Sequence, residues 1–278
     1  MAKQQAIKKT DKQKPVKADS RIEALRKWNL WMGLLLALQA LAIIIIGTQR
    51  SYPVTTNYLA VDTLASEASG GQSLAVATRH LLDLPFAWVV GVVLLVFAAG
   101  YLLAWWRRKW YEERLGLGLN DLRWLTFGVG GGLLFAVVGL LSGVYEVAML
   151  LALVAFMAAG CLGVMAAGII RRQAGDIATP VSHLVCSVGT ACIAAPLVIL
   201  AIVAGGAWLY GGTIPGFVQA IYAVVVLFVA AIGLVTHFRI VNRGRWADPV
   251  LVERAFMALG FLGVSLVAWQ MFAGALLP

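Results

Sequence analysis

The sequence predicts an all-α membrane protein built from seven transmembrane helices. Hydrophobic residues make up 61% of the chain and charged residues 13%, whereas a soluble domain is nearer half apolar and a quarter charged. Apolar runs long enough to cross a bilayer recur along the whole length, and basic residues gather in alternate connections between them. The runs leave no room for a second globular domain, so we expect one membrane domain over residues 28–278.

A basic arm, residues 1–27, precedes the first span. Its nine basic residues are Lys3, Lys8, Lys9, Lys12, Lys14, Lys17, Arg21, Arg26 and Lys27. The arm is polar and basic, a composition typical of disorder, and the full-length apolar run behind it argues against a signal peptide. We therefore expect a disordered cytoplasmic arm attracted to anionic lipid. The net charge of +9 could suggest nucleic acid, but its distribution along the chain argues against that partner.

The seven spans follow in order after the arm. They cover approximately residues 28–47, 84–106, 124–143, 147–170, 180–209, 215–237 and 254–276. A long polar connection, residues 48–83, separates the first two spans. Pro196 lies inside the fifth span, where it removes a backbone hydrogen bond and can kink the helix.

The lysines and arginines predict how the spans are oriented. If the N-terminus is cytoplasmic, the inner segments carry 20 of the 22 basic residues and the outer segments carry only Arg50 and Arg79. An odd number of spans places the two termini on opposite sides. We therefore expect a multi-pass protein of the cell membrane with a cytoplasmic N-terminus and an extracellular C-terminus.

Several short motifs resemble the heliorhodopsin family. They are WNLWMG at 28–33, PVTT at 53–56, Arg123-Trp124, GLLSG at 139–143 and VSLVAWQMFAG at 264–274. The resemblance extends over nearly the whole chain after residue 21. It implies a seven-helix rhodopsin-like bundle with an inverted, N-inside topology. It also implies short β-strands in the long outer loop after the first helix, and a homodimer.

The positions that would hold a covalent retinal depart from the family. The resemblance places the Schiff-base lysine at position 264 and the counterion glutamate at position 126, and this chain has Val264 and Thr126 there. Losing the lysine and the carboxylate together leaves an uncharged core, whereas losing either alone strands a buried charge. The lysines closest to the spans are Lys27 and Lys109. Both lie near the ends of spans, too many residues from the middle of the helix for their side chains to reach mid-membrane. We therefore expect no covalent retinal.

Other positions of the family's pocket also differ. Family histidines fall on Leu36 and Tyr101, and the face of the last span through Val264 is entirely apolar. The candidate pocket residues beside Val264 and Thr126 are Leu36, Tyr101, Gly260, Ser265 and Trp269. With Thr126, Tyr101 and Ser265 as polar groups, such a pocket could hold retinal, a carotenoid or a lipid without a covalent bond.

These observations leave three hypotheses for function. The first is a membrane signalling or interaction component that has lost covalent retinal and light sensing, with a cytoplasmic protein partner at the arm and inner loops. The second is a photosensory or ligand-binding protein that uses the non-covalent pocket. Ion transport ranks last, because no acid or base lies near the middle of a span.

The sequence also lacks the H-E-x-x-H, G-x-S-x-G and P-loop motifs and metal-binding cysteine spacing, so we expect neither an enzyme nor a metal site.

Overall fold

The structure is a computed structural model that describes residues 20–118, 120–175, 179–241 and 244–277. Nine α-helices and two strands lie within these ranges. They are α1 (Ser20–Ile46), β1 (Ser51–Val61), α2 (Thr63–Ser69), β2 (Leu74–Pro85), α3 (Phe86–Trp106), α4 (Arg108–Gly116), α5 (Asp121–Leu141), α6 (Val147–Gln173), α7 (Pro180–Leu209), α8 (Gly216–Ile240) and α9 (Pro249–Met271), with a 3₁₀ turn at Gly244–Ala247 and a π turn at Phe272–Leu276. Seven of the helices (α1, α3 and α5 to α9) are long and apolar enough to cross a membrane. The prediction of seven helical spans is confirmed.

The two ends of the bundle differ in charge. We call the end where α1, α5, α7 and α9 begin the basic end; it also carries α4. The opposite end carries β1 and β2, and we call it the hairpin end. Of the lysines and arginines that the structure describes, only Arg50 and Arg79 lie at the hairpin end.

The strands expected in the long outer loop form an antiparallel hairpin. β1 pairs with β2 from Ser51↔Pro85 to Val61↔Leu74, with an irregularity after Val54. A backbone hydrogen bond of 2.8 Å from the Thr55 N–H to the Tyr145 carbonyl ties this hairpin to the turn between α5 and α6. An isolated two-stranded hairpin is only marginally stable in water, so this anchor helps to hold it at the hairpin end.

The end of the basic arm is helical, which corrects the prediction that residues 1–27 are disordered. Helix α1 begins at Ser20, Leu25 is fully buried, and the Arg21 Nη1 atom lies 2.7 Å from Asp248 Oδ2. The Arg26 guanidinium lies 5.9 Å from the Trp105 ring centroid. Tertiary contacts therefore hold two turns that composition alone assigns to disorder. The preceding part of the arm, residues 1–19, lies outside the described residues.

The last long helix begins earlier than predicted. Asp248 caps α9 by accepting a 3.0 Å hydrogen bond from the Val250 N–H, and Pro249 occupies the first helical position, where its missing N–H costs nothing. The added turn places Glu253 inside the helix on a buried face. Helix α4, which follows α3 at the basic end, is a further element that the sequence did not predict.

Helices α6 and α7 approach each other closely because glycines face each other at their crossing. A Cβ atom built on Gly189 would lie 2.8 Å from the Gly160 carbonyl oxygen, and one on Gly163 would lie 2.9 Å from the Gly189 Cα atom. Small residues allow membrane helices to pack backbone to backbone. Helix α7 packs mainly on α6 and α8 mainly on α9, whereas α7 and α8 make few close contacts.

Candidate functional site

The position that the resemblance assigns to the family's lysine lies in the apolar core of the bundle. Val264 on α9 is only 2% exposed. It lines a cavity of about 60 Å³, which we call the central cavity, between α3, α5, α6, α8 and α9. Every residue that lines this cavity is a hydrocarbon side chain, an aromatic ring, a methionine or a glycine. Among the described residues, the lining of the cavity at Val264 therefore offers no charged or hydrogen-bonding side chain.

The position that the resemblance assigns to the counterion lies nearer to the basic end. Thr126 on α5 lines a separate cavity of about 30 Å³, and its hydroxyl donates a 2.8 Å hydrogen bond to the Leu122 carbonyl one turn earlier. Phe97 and Phe127 line both cavities, with ring centroids 5.7 Å apart. These two rings stand between the cavities, so Val264 and Thr126 lie near the same aromatic pair but line different spaces.

Two other predicted pocket residues meet at this aromatic pair. The Tyr101 hydroxyl donates a 2.8 Å hydrogen bond to the Met257 carbonyl on α9. A Cβ atom on Gly260 would lie 2.9 Å from the Tyr101 hydroxyl and 2.9 Å from the Phe127 ring. Gly260 therefore allows α9 to approach α3 and α5 closely. Tyr101, Thr126, Gly260 and Val264 are the predicted residues that the structure brings together.

The remaining three predicted pocket residues line neither cavity. Leu36 on α1 is fully buried in the hydrophobic core. Ser265 is half-buried, and within the described part of the chain its buried hydroxyl has no hydrogen-bond partner. Trp269 is 41% exposed, and its Nε1 atom donates a 3.1 Å hydrogen bond to Gln39 Oε1 on α1. Five positions along a helix rotate a side chain by about 140°, so Trp269 faces away from the cavity at Val264.

Sequence reasoning missed a group of buried polar residues at the basic end. We call it the buried ion-pair cluster; its residues are Asn29, Tyr111, Asn120, Arg123 and Glu253. The Glu253 side chain is 4% exposed, and its Oε2 atom lies 2.5 Å from Arg123 Nη1. Its Oε1 atom accepts hydrogen bonds from the Tyr111 hydroxyl at 2.9 Å and from Asn120 Nδ2 at 2.6 Å.

The geometry of the cluster compensates for the cost of burying two charges. Both Glu253 oxygens have donors, and the Arg123 guanidinium also lies 4.0 Å from the Phe256 ring centroid, a distance at which a cation is attracted to a ring face. A buried ion pair is tolerated only when such additional partners satisfy it. The sequence carried one signal for the cluster: the Asp248-Pro249 helix start, which moves Glu253 from the loop into the helix.

The whole membrane domain matches one protein family. The sequence model described as Heliorhodopsin matches residues 25–276. The chain belongs to the heliorhodopsin family. This membership and the seven apolar helices make it a multi-pass membrane protein with seven spans. A comparison with curated protein sequences found no match.

Tyr111 gives this heliorhodopsin-family cluster a measurable pH dependence. Burial raises the pKa of the Tyr111 phenol well above its ordinary value of 10.0, and the negative charge of Glu253 raises it further. The unfolded chain therefore releases this proton near pH 10, while the folded chain retains it. Because the folded state then binds more protons, this group makes the folded state less stable as pH rises above about 10.

Replacing Tyr111 with phenylalanine should therefore make the loss of stability above about pH 10 less steep. The variant should also be less stable at neutral pH by about 1.5–3 kcal/mol, the usual value of a hydrogen bond to a charged group. Thermal unfolding of the purified protein from neutral to alkaline pH measures both effects. Tyr210→Phe, at a tyrosine that is 91% exposed, is the control. An identical pH profile for Tyr111→Phe and the wild type would contradict the assignment.

Proposed function

We propose that this heliorhodopsin-family protein carries no covalent retinal and acts as a membrane signalling or interaction component rather than as a photoreceptor, a transporter or an enzyme. The observation that carries the proposal is the buried, wholly apolar setting of Val264. An imine with retinal requires a lysine amine at that place, and a protonated imine in hydrocarbon requires a nearby carboxylate. The chain has neither group at positions 264 and 126.

The positions of the other lysines support this proposal. In the described residues the lysines are Lys27, near the start of α1, and Lys109, in α4. Both belong to the basic end. Val264 lies eleven residues after Glu253 on α9, which is about three helical turns deeper in the bundle than the buried ion-pair cluster.

The size of the central cavity argues against the alternative of a non-covalent ligand beside Val264. The cavity measures about 60 Å³, whereas sites for drug-sized ligands measure about 300–1,000 Å³. Two of the three polar groups expected to serve such a ligand are engaged, since Tyr101 donates to Met257 and Thr126 to Leu122, and the third, Ser265, does not line this cavity. Retinal or a carotenoid would have to displace packed side chains to enter.

The partner surface in this proposal is the basic end. Its excess of arginine and lysine supports a cytoplasmic location and contact with an acidic protein surface. Protease access to a tag added before Met1 tests the orientation, because a tag cleaved on the outside of intact cells would contradict it.

We also propose a homodimer, as the family resemblance implies. A purely monomeric mass of the purified protein in mild detergent would rule this out.

An absorption spectrum tests the retinal proposal. The wild type, expressed with all-trans-retinal and purified, is expected to show no shifted visible band. A Val264→Lys/Thr126→Glu variant restores the amine and the carboxylate and is expected to gain such a band. Val264→Met/Thr126→Glu is the matched control, because methionine has a long side chain but no amine. A shifted band in the wild type that survives washing would overturn the proposal and favour non-covalent binding.

A further inference from the structure

Two tryptophans near the end of α3 each contact an arginine at the basic end. The Arg26 guanidinium lies 5.9 Å from the Trp105 ring centroid, and the Arg107 guanidinium lies 5.3 Å from the Trp106 ring centroid. A cation at such a distance is attracted to the face of the ring. Trp106 is 69% exposed, so this pair faces outward from the bundle. We call these four residues the arginine–indole surface.

The packing of α1 against α3 brings the two pairs close together. A Cβ atom on Gly33 of α1 would lie 2.7 Å from the Leu102 side chain of α3. Arg26 precedes Gly33 by seven residues, and its partner Trp105 follows Leu102 by three. The two helices therefore run in opposite directions, and the start of α1 lies beside the end of α3. The second arginine–tryptophan pair follows Trp105 directly in the chain.

The chemical character of both helices changes in the same order with depth in the membrane. The order on α1 is basic, then indole, then exposed aliphatic: Arg26 and Lys27, Trp28 and Trp31, Leu34, Leu35 and Leu38. The order on α3, from its end inward, is the same: Arg107, Trp106 and Trp105, Leu103. A phospholipid has the matching order of phosphate, glycerol esters and acyl chains, and indoles favour the level of the esters.

The basic residues of this region exceed the acids that could neutralise them. Of the described residues from 20 to 46 and from 86 to 118, the cations without an ion pair are Arg26, Lys27, Arg107 and Lys109. The acidic residues of the same ranges are Glu23, Glu112 and Glu113. Glu112 is already paired, because its Oε1 atom lies 2.7 Å from Arg108 Nε. The surface therefore retains a positive charge that favours an anionic ligand.

The hairpin end has exposed tryptophans but lacks this arrangement. Trp88 is 55% exposed and Trp208 is 77% exposed, and in the part of the chain that the structure describes no cation lies over either ring. The other cation–ring contacts of the described residues involve Arg123, inside the buried ion-pair cluster. Pairs of arginine and indole that face the membrane thus belong to the leaflet at the basic end.

We propose that the arginine–indole surface binds an anionic phospholipid from the leaflet that meets the basic end. Arg26 and Arg107 donate hydrogen bonds to phosphate oxygens, since arginine presents several donors to phosphate. The indoles of Trp105 and Trp106 hold the guanidinium groups and contact the glycerol region, and an acyl chain follows the exposed leucines of α1 and α3. This site depends neither on the retinal proposal nor on which side of the membrane the basic end faces.

Three variants test the recognition of the phosphate. Arg26→Gln and Arg107→Gln each remove one charge of the surface. Arg245→Gln is the matched control, because it removes an exposed charge at the same end from the turn between α8 and α9. The unfolding temperature of the delipidated protein in neutral detergent is measured as phosphatidylglycerol, phosphatidylcholine or inorganic phosphate is added.

Phosphatidylglycerol is expected to raise the unfolding temperature more than phosphatidylcholine or inorganic phosphate does. Arg26→Gln and Arg107→Gln should each weaken its apparent affinity about fivefold, and Arg245→Gln should leave the affinity unchanged. Equal effects of the two lipids would overturn recognition of the headgroup, and an equal effect of inorganic phosphate would overturn the lipid. An equal loss of affinity in all three variants, or no loss in any, would overturn the assigned site.

A second measurement does not depend on stability. The protein is placed in phosphatidylcholine bilayers with a small, fixed fraction of brominated phosphatidylglycerol or, in parallel, brominated phosphatidylcholine. The difference in quenching between the wild type and Trp106→Phe isolates Trp106 from the other tryptophans, and Trp88→Phe isolates an exposed tryptophan of the hairpin end in the same way. Brominated phosphatidylglycerol should quench Trp106 more strongly than brominated phosphatidylcholine does, whereas the two lipids should quench Trp88 equally. Equal quenching of Trp106 by the two lipids would contradict the proposal.

Discussion

Glu253→Gln is expected to destabilise the protein by about 3–5 kcal/mol, the usual cost of breaking a buried ion pair by removing one charge. Glutamine keeps the size of the side chain but leaves the Arg123 guanidinium buried without a counter-charge. Thermal unfolding in detergent, or titration with a denaturing detergent, measures the loss. Glu113→Gln on the exposed face of α4 is the matched control, because it removes the same charge at the same end of the bundle.

A second substitution separates charge compensation from simple packing. In Arg123→Met/Glu253→Met both charges are replaced by apolar side chains of similar length. Such replacements of buried pairs are often close to neutral, so the double variant should recover much of the stability that Glu253→Gln loses. The interpretation fails if Glu253→Gln unfolds like its control, or if the double variant is less stable than Glu253→Gln.

Gly189→Leu is expected to have the other large effect, because it places a side chain where the backbones of α6 and α7 meet. A Cβ atom at this position would lie 2.8 Å from the Gly160 carbonyl oxygen and 2.9 Å from the Val164 nitrogen. Backbone atoms cannot rotate away as a side chain can, so the two helices must separate. Overpacking of this kind costs about 1–3 kcal/mol or more.

The control for this substitution lies on the same helix. Gly205→Leu adds an identical side chain where a Cβ atom meets no atom within 4 Å, and it should unfold close to the wild-type temperature. A comparison of the two variants in the same detergent removes differences in helix propensity and hydrophobicity. Equal unfolding temperatures would show that α6 and α7 do not cross as closely as the structure indicates.

The seven helices were predictable because each of them is a continuous run of mostly apolar residues, which can be recognised from hydropathy alone. Residues 180–209, for example, were predicted as a span and form α7 with the same bounds. The hairpin was predictable only through the family resemblance. By contrast, the pairing of Arg123 with Glu253 joins residues 130 positions apart, and each residue by itself resembles an ordinary charge at a helix end. Hydropathy carries no information about such a pair.

The candidate pocket was predictable only in part. The family resemblance indicated Tyr101, Thr126 and Val264, and helical spacing from Val264 indicated Gly260; the four residues meet around the Phe97–Phe127 pair. Trp269 belongs to the same motif in the sequence, but its helical phase turns it toward Gln39 and the periphery. A motif records which residues occur together along the chain. It does not record the direction in which each side chain points.

The buried ion-pair cluster has a consequence for how this scaffold tolerates change. Its hydrogen bonds join α4, α5 and α9 through Tyr111, Asn120, Arg123 and Glu253, and none of them uses position 126 or 264. These hydrogen bonds are separate from Val264, which lies about three helical turns deeper on α9, whereas Thr126 lines the same cavity as the cluster. A substitution at position 264 can therefore leave the hydrogen bonds of the basic end intact, whereas one at position 126 changes a neighbour of the ion pair.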